Sequence, residues 1–299
     1  MKNARYDNLI AREGAHWGAL SPSPANPQIW EDERLFAIFF GREYFRMISR
    51  VCEHGPRVLE LGCGNGGLAI ALAERGLNVV GIDLSRERVS TAKREARQRG
   101  VEGTTSFQVG DLNVLPLPPQ SFECIVAHDS LHHILELDSL LERASAALVP
   151  GGALIVMDFV GMGTFRKVLA AGLFAILPTF QPYKTKWALR GRLRSFLASE
   201  GAKRRGIDRG STGLLNPESP FEEISGESIP RLVESHFRVE EYRTFLPFWY
   251  YFAPKLRLPG KIRLTTARVL HALDSSIVKA VPRSGAYIFI VARQSENQP

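Results

Sequence analysis

Cysteine is scarce in this chain. Cys52, Cys63 and Cys124 stand far apart in 299 residues and form no Cys-x-x-Cys or Cys/His pair, so no metal or dithiol site is expected. They read as buried thiols of a reducing compartment. No run reaches the ~18 uninterrupted apolar residues that a membrane span needs. The opening Met1-Lys2-Asn3-Ala4-Arg5-Tyr6-Asp7 has no apolar segment behind it of the kind a secretory signal carries, so a cytoplasmic location is expected. Internal repeats and low-complexity tracts are also missing. With 44% hydrophobic and 23% charged residues, the chain can bury one large core or two small ones, which excludes disordered, collagenous and disulfide-framework classes.

The charge is basic overall but unevenly placed. Of the net +7, the segment Phe159 to Gly210 supplies +9, with eleven Lys and Arg against Glu200 and Asp208. The remaining chain is slightly acidic, at −2. A general polyanion-binding surface is therefore not indicated, and nucleic acid is not expected as a partner.

Residues 1 to 29 carry Pro22, Pro24 and Pro27 and read as an arm rather than a helix. Acids at Glu31, Asp32 and Glu33, followed by Leu35, Ile38, Phe39, Met47, Ile48 and Val51 at helical spacing, predict one or two helices. A strand-helix alternation then begins. Strands are expected at 57–61, 77–82, 105–110, 122–127 and 153–157, with helices at 67–75 and from Ser85 to about Gly100. A further helix is expected to Leu148, opened by a Ser139/Glu142 capping box. Five strands alternating with helices imply a parallel sheet covered on both faces. The rhythm breaks after Asp158 and returns in Phe237 to Phe245 and Ala286 to Arg293, which fit the closing strands of the same sheet.

The first strand ends in Gly62-Cys63-Gly64-Asn65-Gly66-Gly67 and feeds a helix, so backbone N–H groups face a ligand that glycine lets come close. Twenty-one residues after Gly62, Asp83 closes the second strand, where a carboxylate accepts from ribose hydroxyls. Both features suit NAD as well as other nucleosides. Glu60 discriminates, because a carboxylate two residues before the first glycine repels a pyrophosphate and suits a cationic amino group. Asp111, in Gly110-Asp111-Leu112, can accept from an adenine amino group, with Leu84 and Leu112 on either side of the ring.

Five motifs in order resemble class I S-adenosylmethionine-dependent methyltransferases: 58–66 (VLELGCGNG), 81–85 (GIDLS), 110–112 (GDL), 130–134 (SLHHI) and 148–152 (LVPGG). The resemblance covers roughly residues 55 to 160. More narrowly, 111–113, 130–134, 158–161 and 219–222 are similar to a methyltransferase type 11/UbiE-like bacterial subgroup associated with glycan or secondary-metabolite biosynthesis. The resemblance implies an α/β Rossmann-like sheet of seven mostly parallel strands in the order 3-2-1-4-5-7-6, with helices on both faces and the last strand antiparallel. It implies S-adenosylmethionine as cofactor, with Glu60, Gly62, Cys63 and Gly64 at its methionine end. Asp83 would meet the ribose, Gly110, Asp111 and Leu112 the adenine with Leu84 beside its ring, and His128 the methionine again. The divisions expected are an arm and helical cap (1–55), the cofactor-binding core (56–160), a basic helical insert or lid (161–236) and the closing strands (237–299).

Methyl transfer is an in-line displacement that needs a base only when the acceptor keeps its proton. The candidates lie after the fourth strand in His128-Asp129-Ser130-Leu131-His132-His133, with His132, His128 and Asp129 as the catalytic expectation and His133 as packing or cofactor support. The Asn/Asp-Pro-Pro-aromatic motif of base-amine methylation is missing here, which again disfavours nucleic acid. In the insert, Leu189, Leu193, Phe196 and Leu197 share a helical face beside Lys186, Arg190 and Arg194. That pattern fits either an interfacial helix on an anionic membrane surface, through 164–206, or a lid over the active site. The aromatic run Phe245 to Phe252, followed by Lys255, Arg257, Lys261 and Arg263, fits an interface belt or an acceptor-pocket wall. Phe39, Phe40, Tyr44 and Phe45 would roof the same pocket. The expected activity is methylation, at oxygen, of a small hydrophobic or lipid- or glycan-linked intermediate. Its alternatives are a polar sugar or metabolite under a simple lid, a nicotinamide-dependent oxidoreductase, and a non-catalytic membrane-binding module.

Overall fold

A computed structural model describes residues 4–19, 27–188 and 225–294. Three helices, α1 (Ala4–Ala19), α2 (Glu33–Phe39) and α3 (Gly41–Cys52), precede β1 (Arg57–Leu61). The alternation continues through α4 (Gly67–Ala73), β2 (Asn78–Asp83), α5 (Arg86–Gln98), β3 (Thr105–Val109), β4 (Phe122–His128), α6 (Leu137–Ala147) and β5 (Leu148–Phe159). After β5 come α7 (Thr164–Ile176), α8 (Tyr183–Ala188), α9 (Ile229–His236), β6 (Phe237–Phe245), α10 (Gly260–Ala280) and β7 (Tyr287–Gln294).

The sheet has seven strands in the order β3-β2-β1-β4-β5-β7-β6. Strands β1 to β5 are parallel, and β7 enters antiparallel between β5 and β6. Its central strands are apolar on both faces because both are covered. Val58, Cys124, Val126 and Met157 pack toward α2, α3 and α4, while Leu59, Leu61, Ile125, Ala127 and Val156 pack toward α6 and α9. Caps set two of the helix starts: Asp32 accepts from Arg34 and Leu35 N–H at 3.0 and 3.1 Å, and Ser85 accepts from Arg88 N–H at 3.3 Å.

Several expectations are corrected. The arm is helical over Ala4–Ala19, because the prolines all lie beyond that segment. Helix α6 begins at Leu137, not at a Ser139 cap, because the Asn113 side chain accepts from Leu135 and Glu136 N–H at 2.8 and 3.0 Å and anchors the entry two residues earlier. Strand β5 starts at Leu148, with residues 149–152 absorbed as an irregularity in the pairing with β4. Cys52 is exposed, while Cys63 and Cys124 are buried.

The aromatic run after β6 is interior, not a surface belt: Phe248, Tyr250 and Phe252 are buried in the core. Lys255 is buried too, with its ammonium 3.8 Å from the Tyr251 ring. Phe45 is 64% exposed and roofs nothing. Lys186 does not sit on a charged margin. It is buried, donates to the Leu177 carbonyl at 2.6 Å and lies over the Tyr183 ring. The remaining stripe residues, Leu189 to Leu197, and the 219–222 motif lie outside the described residues. Among the described residues, no helix is long and apolar enough to cross a membrane.

Asp274 of α10 organises the aromatic turn. Its carboxylate is 1% exposed and accepts N–H groups of Phe248, Trp249 and Tyr250 at 2.9–3.2 Å. Asp274→Ala strands those donors in a dry interior, and a loss of about 3 kcal/mol is expected. Urea unfolding checks this: the midpoint falls with an unchanged slope, and a midpoint equal to wild type contradicts the assignment.

Candidate active site

The site lies at the carboxyl ends of β1, β2, β3 and β4, where loops leave the sheet. At the end of β1 the backbone turns through Gly62 (φ +77°), Gly64 (φ +51°) and Gly66 (φ +83°). A Cβ on Gly62 would stand 2.4 Å from the Ser130 Cβ, so the position is closed to any other residue by both conformation and space. Asp83, at the tip of β2, braces this turn: one carboxylate oxygen accepts from Gly64 N–H and the other from Ser85 N–H, each at 2.8 Å.

A cavity opens beside the turn. Of the residues expected at the cofactor, Gly62, Asp83, Leu84, Gly110, Asp111 and Leu112 line it, together with Asp129 and His133. Glu60, Cys63, Gly64, His128 and His132 are close by in sequence but do not line it. Glu60 and His128 lie on the sheet face toward α3, where the Tyr44 ring is 5.4 Å from His128. Cys63 is buried, and burial pushes its thiol up, so it is inert as a nucleophile.

The opposite wall comes from α1, which the proline pattern concealed. Ile10, Glu13, Gly14 and Trp17 face the cavity. The Tyr6 hydroxyl donates to Asp111 Oδ2 at 2.6 Å, while Asp111 Oδ1 accepts from Asn113. Trp17 Nε1 donates to Glu13 at 2.7 Å, and its ring takes the Arg88 guanidinium on one side and the edge of His133 at 4.9 Å. His133 Nδ1 lies 3.1 Å from Glu13 Oε1.

Beneath the loop after β4 sits Asp158, near the end of β5 and fully buried. It accepts from Ser130 and Leu131 N–H on Oδ2 (3.0 and 2.7 Å), and from Phe159 N–H and His132 Nδ1 on Oδ1 (2.8 and 2.5 Å). Burial opposes its ionisation, but His132 and the loop N–H groups outweigh it and hold the carboxyl below the ordinary range. An ionised carboxylate only accepts, so the proton is assigned to His132 Nδ1 and Nε2 becomes the ring's basic nitrogen. Asp129, at φ +54°, has its carboxyl raised by desolvation, opposed by His132. Asp129, His132 and Asp158 each offer an atom within 4.8 Å of the others. With Asp158 already accepting four N–H bonds, the cluster suits a proton relay better than a metal. The signal for Asp158 was present in the sequence as one acid inside the apolar run Ala153 to Phe159.

The Glu60 carboxyl is 2% exposed and raised well above its ordinary value by burial and then by Asp83. Its Oε2 has no hydrogen-bond partner among the described residues. A buried acceptor without a donor, a glycine turn and carboxylates at two further strand tips fit a ligand with an ammonium group at one end and a nucleoside at the other.

Residues 53–187 match the family described as a methyltransferase domain. That match supports reading these residues as a class I S-adenosylmethionine-dependent methyltransferase domain. Among curated relatives, the methyltransferase GfsG of Streptomyces halstedii is 36% identical over 118 residues, 39% of this chain and 42% of that protein. The 27-O-demethylrifamycin SV methyltransferase of Amycolatopsis mediterranei is 36% identical over 107 residues, 36% of this chain and 39% of that one. The chain thus spans about two fifths of the length of these two relatives. A ubiquinone biosynthesis O-methyltransferase of Coxiella burnetii is 29% identical over 49% of this chain and 67% of its own length. Among solved structures, a geranyl diphosphate C-methyltransferase of Streptomyces coelicolor superposes with a TM-score of 0.54 at 13% identity, covering 96% of this chain and 98% of that one. The [4+2]-cyclase SpnF reaches 0.50 at 22% identity, over 83% and 80% of the two chains. These two likenesses show the fold alone.

Burial lowers both His128 and His133 to about 4. A histidine depressed in the folded state binds fewer protons there than when unfolded, so its stabilisation is full above the unfolded value and is lost as pH falls toward 4. Each can steepen the fall in stability by at most ~1.4 kcal/mol per pH unit. Urea unfolding between neutral pH and about pH 4.5 is expected to show a shallower fall in His133→Asn than in wild type. Parallel curves contradict the assignment of a neutral, buried His133.

Proposed function

We propose that this protein methylates an oxygen of a small, hydrophobic or lipid- or glycan-linked biosynthetic intermediate. The observation that carries the reading is the Asp158–His132 pair, 2.5 Å apart beside the cofactor turn. When bound, S-adenosylmethionine supplies an electrophilic methyl whose carbon–sulfur bond breaks as the new carbon–oxygen bond forms. His132 takes the acceptor hydroxyl proton on Nε2, and Asp158 holds the ring and stabilises the imidazolium. The Asp129 carboxyl lies 4.0 Å from Nδ1 of the same ring, beyond hydrogen-bond reach, and acts on it through its charge. Glu60 meets the ammonium, Asp83 the ribose and Asp111 the adenine, the last by releasing Tyr6.

Oxygen as the target is supported by the relatives named for rifamycin and ubiquinone O-methylation. The nicotinamide reading is disfavoured, since residues 53–187 match a methyltransferase domain and Glu60 lies where a pyrophosphate would be repelled.

Asp83→Ala is expected to weaken S-adenosylhomocysteine binding roughly 10- to 100-fold in calorimetry, the loss of hydrogen bonds to a charged group. Unchanged affinity would sink the ribose assignment. For the acceptor, the enzyme is given methyl-labelled cofactor and an extract of source cells, and the products are partitioned. Label in the organic phase is expected. Label confined to small aqueous products assigns a polar acceptor instead.

A further inference from the structure

Large apolar side chains are exposed mainly in one region. Of fifteen with high exposure among the described residues, eleven fall in 164–188 or 254–284. On α7 they form a line: Phe165 (79% exposed), Leu169 and Ile176 (69%), at spacings of four and seven. On α10 a second line runs through Ile262, Val269 and Leu273, at spacings of seven and four. The two helices lie along the same strip of the molecule. Arg166, in the first turn of α7, bonds the carbonyl of Ser284 just past α10, while Thr179, beyond the other end of α7, pairs with Leu256 just before α10. Helix α7 follows β5 after a link of four residues, 160–163.

Charge in these segments has one sign. They hold eleven Lys and Arg against one acid, although Lys186 and Lys255 are buried and Arg263 pairs with Asp32 at 2.9 Å. That acid, Asp274, is 1% exposed and committed to the aromatic turn. On α10 the exposed Lys261, Arg268 and Lys279 form a row of their own, about a quarter-turn around the helix from the apolar line. Such parallel apolar and cationic rows lower apolar side chains into a lipid interface and leave cations at head-group level. A second copy of this chain would bring like charge against like, and a nucleic acid would leave the apolar rows in water.

We infer that α7 and α10 form a docking face for an anionic membrane surface, on which the enzyme meets its acceptor. The inference rests on the reading of that acceptor as hydrophobic or lipid-linked. It keeps α7, which lies within the expected 164–206 contact, and adds the open face of α10 in place of the aromatic run and Lys186, which are buried.

Flotation with vesicles of phosphatidylcholine alone, or of equimolar phosphatidylcholine and phosphatidylglycerol, tests it without any acceptor. Wild type is expected to float with the anionic vesicles only and to be released by salt. Lys261→Gln/Arg268→Gln/Lys279→Gln is expected to reduce partitioning about a hundredfold. Phe165→Ser/Ile176→Ser reduces it about tenfold or more. S-adenosylhomocysteine affinity, measured on each variant, stays at the wild-type value, which verifies folding and separates failure of this face from failure of the cofactor reading. The inference is overturned if wild type does not float, if it floats equally with neutral vesicles, if the charge variant floats as well as wild type, or if the apolar rows instead mediate a dimer seen by light scattering.

Discussion

The buried carboxylate of Asp158 is the constraint on which the site depends. An isolated charge in a dry interior is far too costly to persist, and this one is tolerated because four N–H donors converge on it. Those donors come from the loop after β4 and from β5 itself, so satisfying the charge folds the loop back over the strand ends. Ser130, held there, donates its hydroxyl to the Leu61 carbonyl at 2.6 Å and closes on the turn at Gly62. One charge thereby joins β5, β4 and β1, and the same bond that neutralises it fixes the tautomer of His132.

The cavity beside this arrangement is closed by α1 on terms that suit a ligand. Tyr6 occupies Asp111, and Glu13 stands against His133, so side chains of the same polarity as a nucleoside's groups hold the cover down. Among the described residues, α1 is held by these polar contacts and by the Trp17 ring against Arg88 and His133, and its Gly14 faces Leu84.

Much of this was legible in the residues. Period-two apolar runs, glycine stops and the Ser85 cap define β1 to β4 and the helices between them to within a residue or two, because local chemistry and tertiary packing agree there, whereas β5 begins five residues before its expected start. The acids at the tips of β2 and β3 were readable for the same reason, since strand ends in a parallel sheet point to one crevice. What escaped was decided at long range. No local pattern says that Asn113 anchors the start of α6 from 22 residues away, or that Asp274 caps a turn 24 to 26 residues before it. The aromatic run after β6 was ambiguous because wall and belt share one composition, and only its burial separates them. Helix α1 was hidden by prolines that lie beyond its end.

The central claim is that His132, held by Asp158, takes the acceptor's proton. The most direct measurement is single-turnover label transfer from methyl-labelled cofactor to the extract acceptor by His132→Gln, with S-adenosylhomocysteine affinity determined on the same protein. The account predicts transfer slowed roughly 10²- to 10⁴-fold with affinity unchanged, the usual weight of a positioned base. Wild-type transfer in the variant, or affinity lost in step with rate, would contradict it and leave His132 as packing.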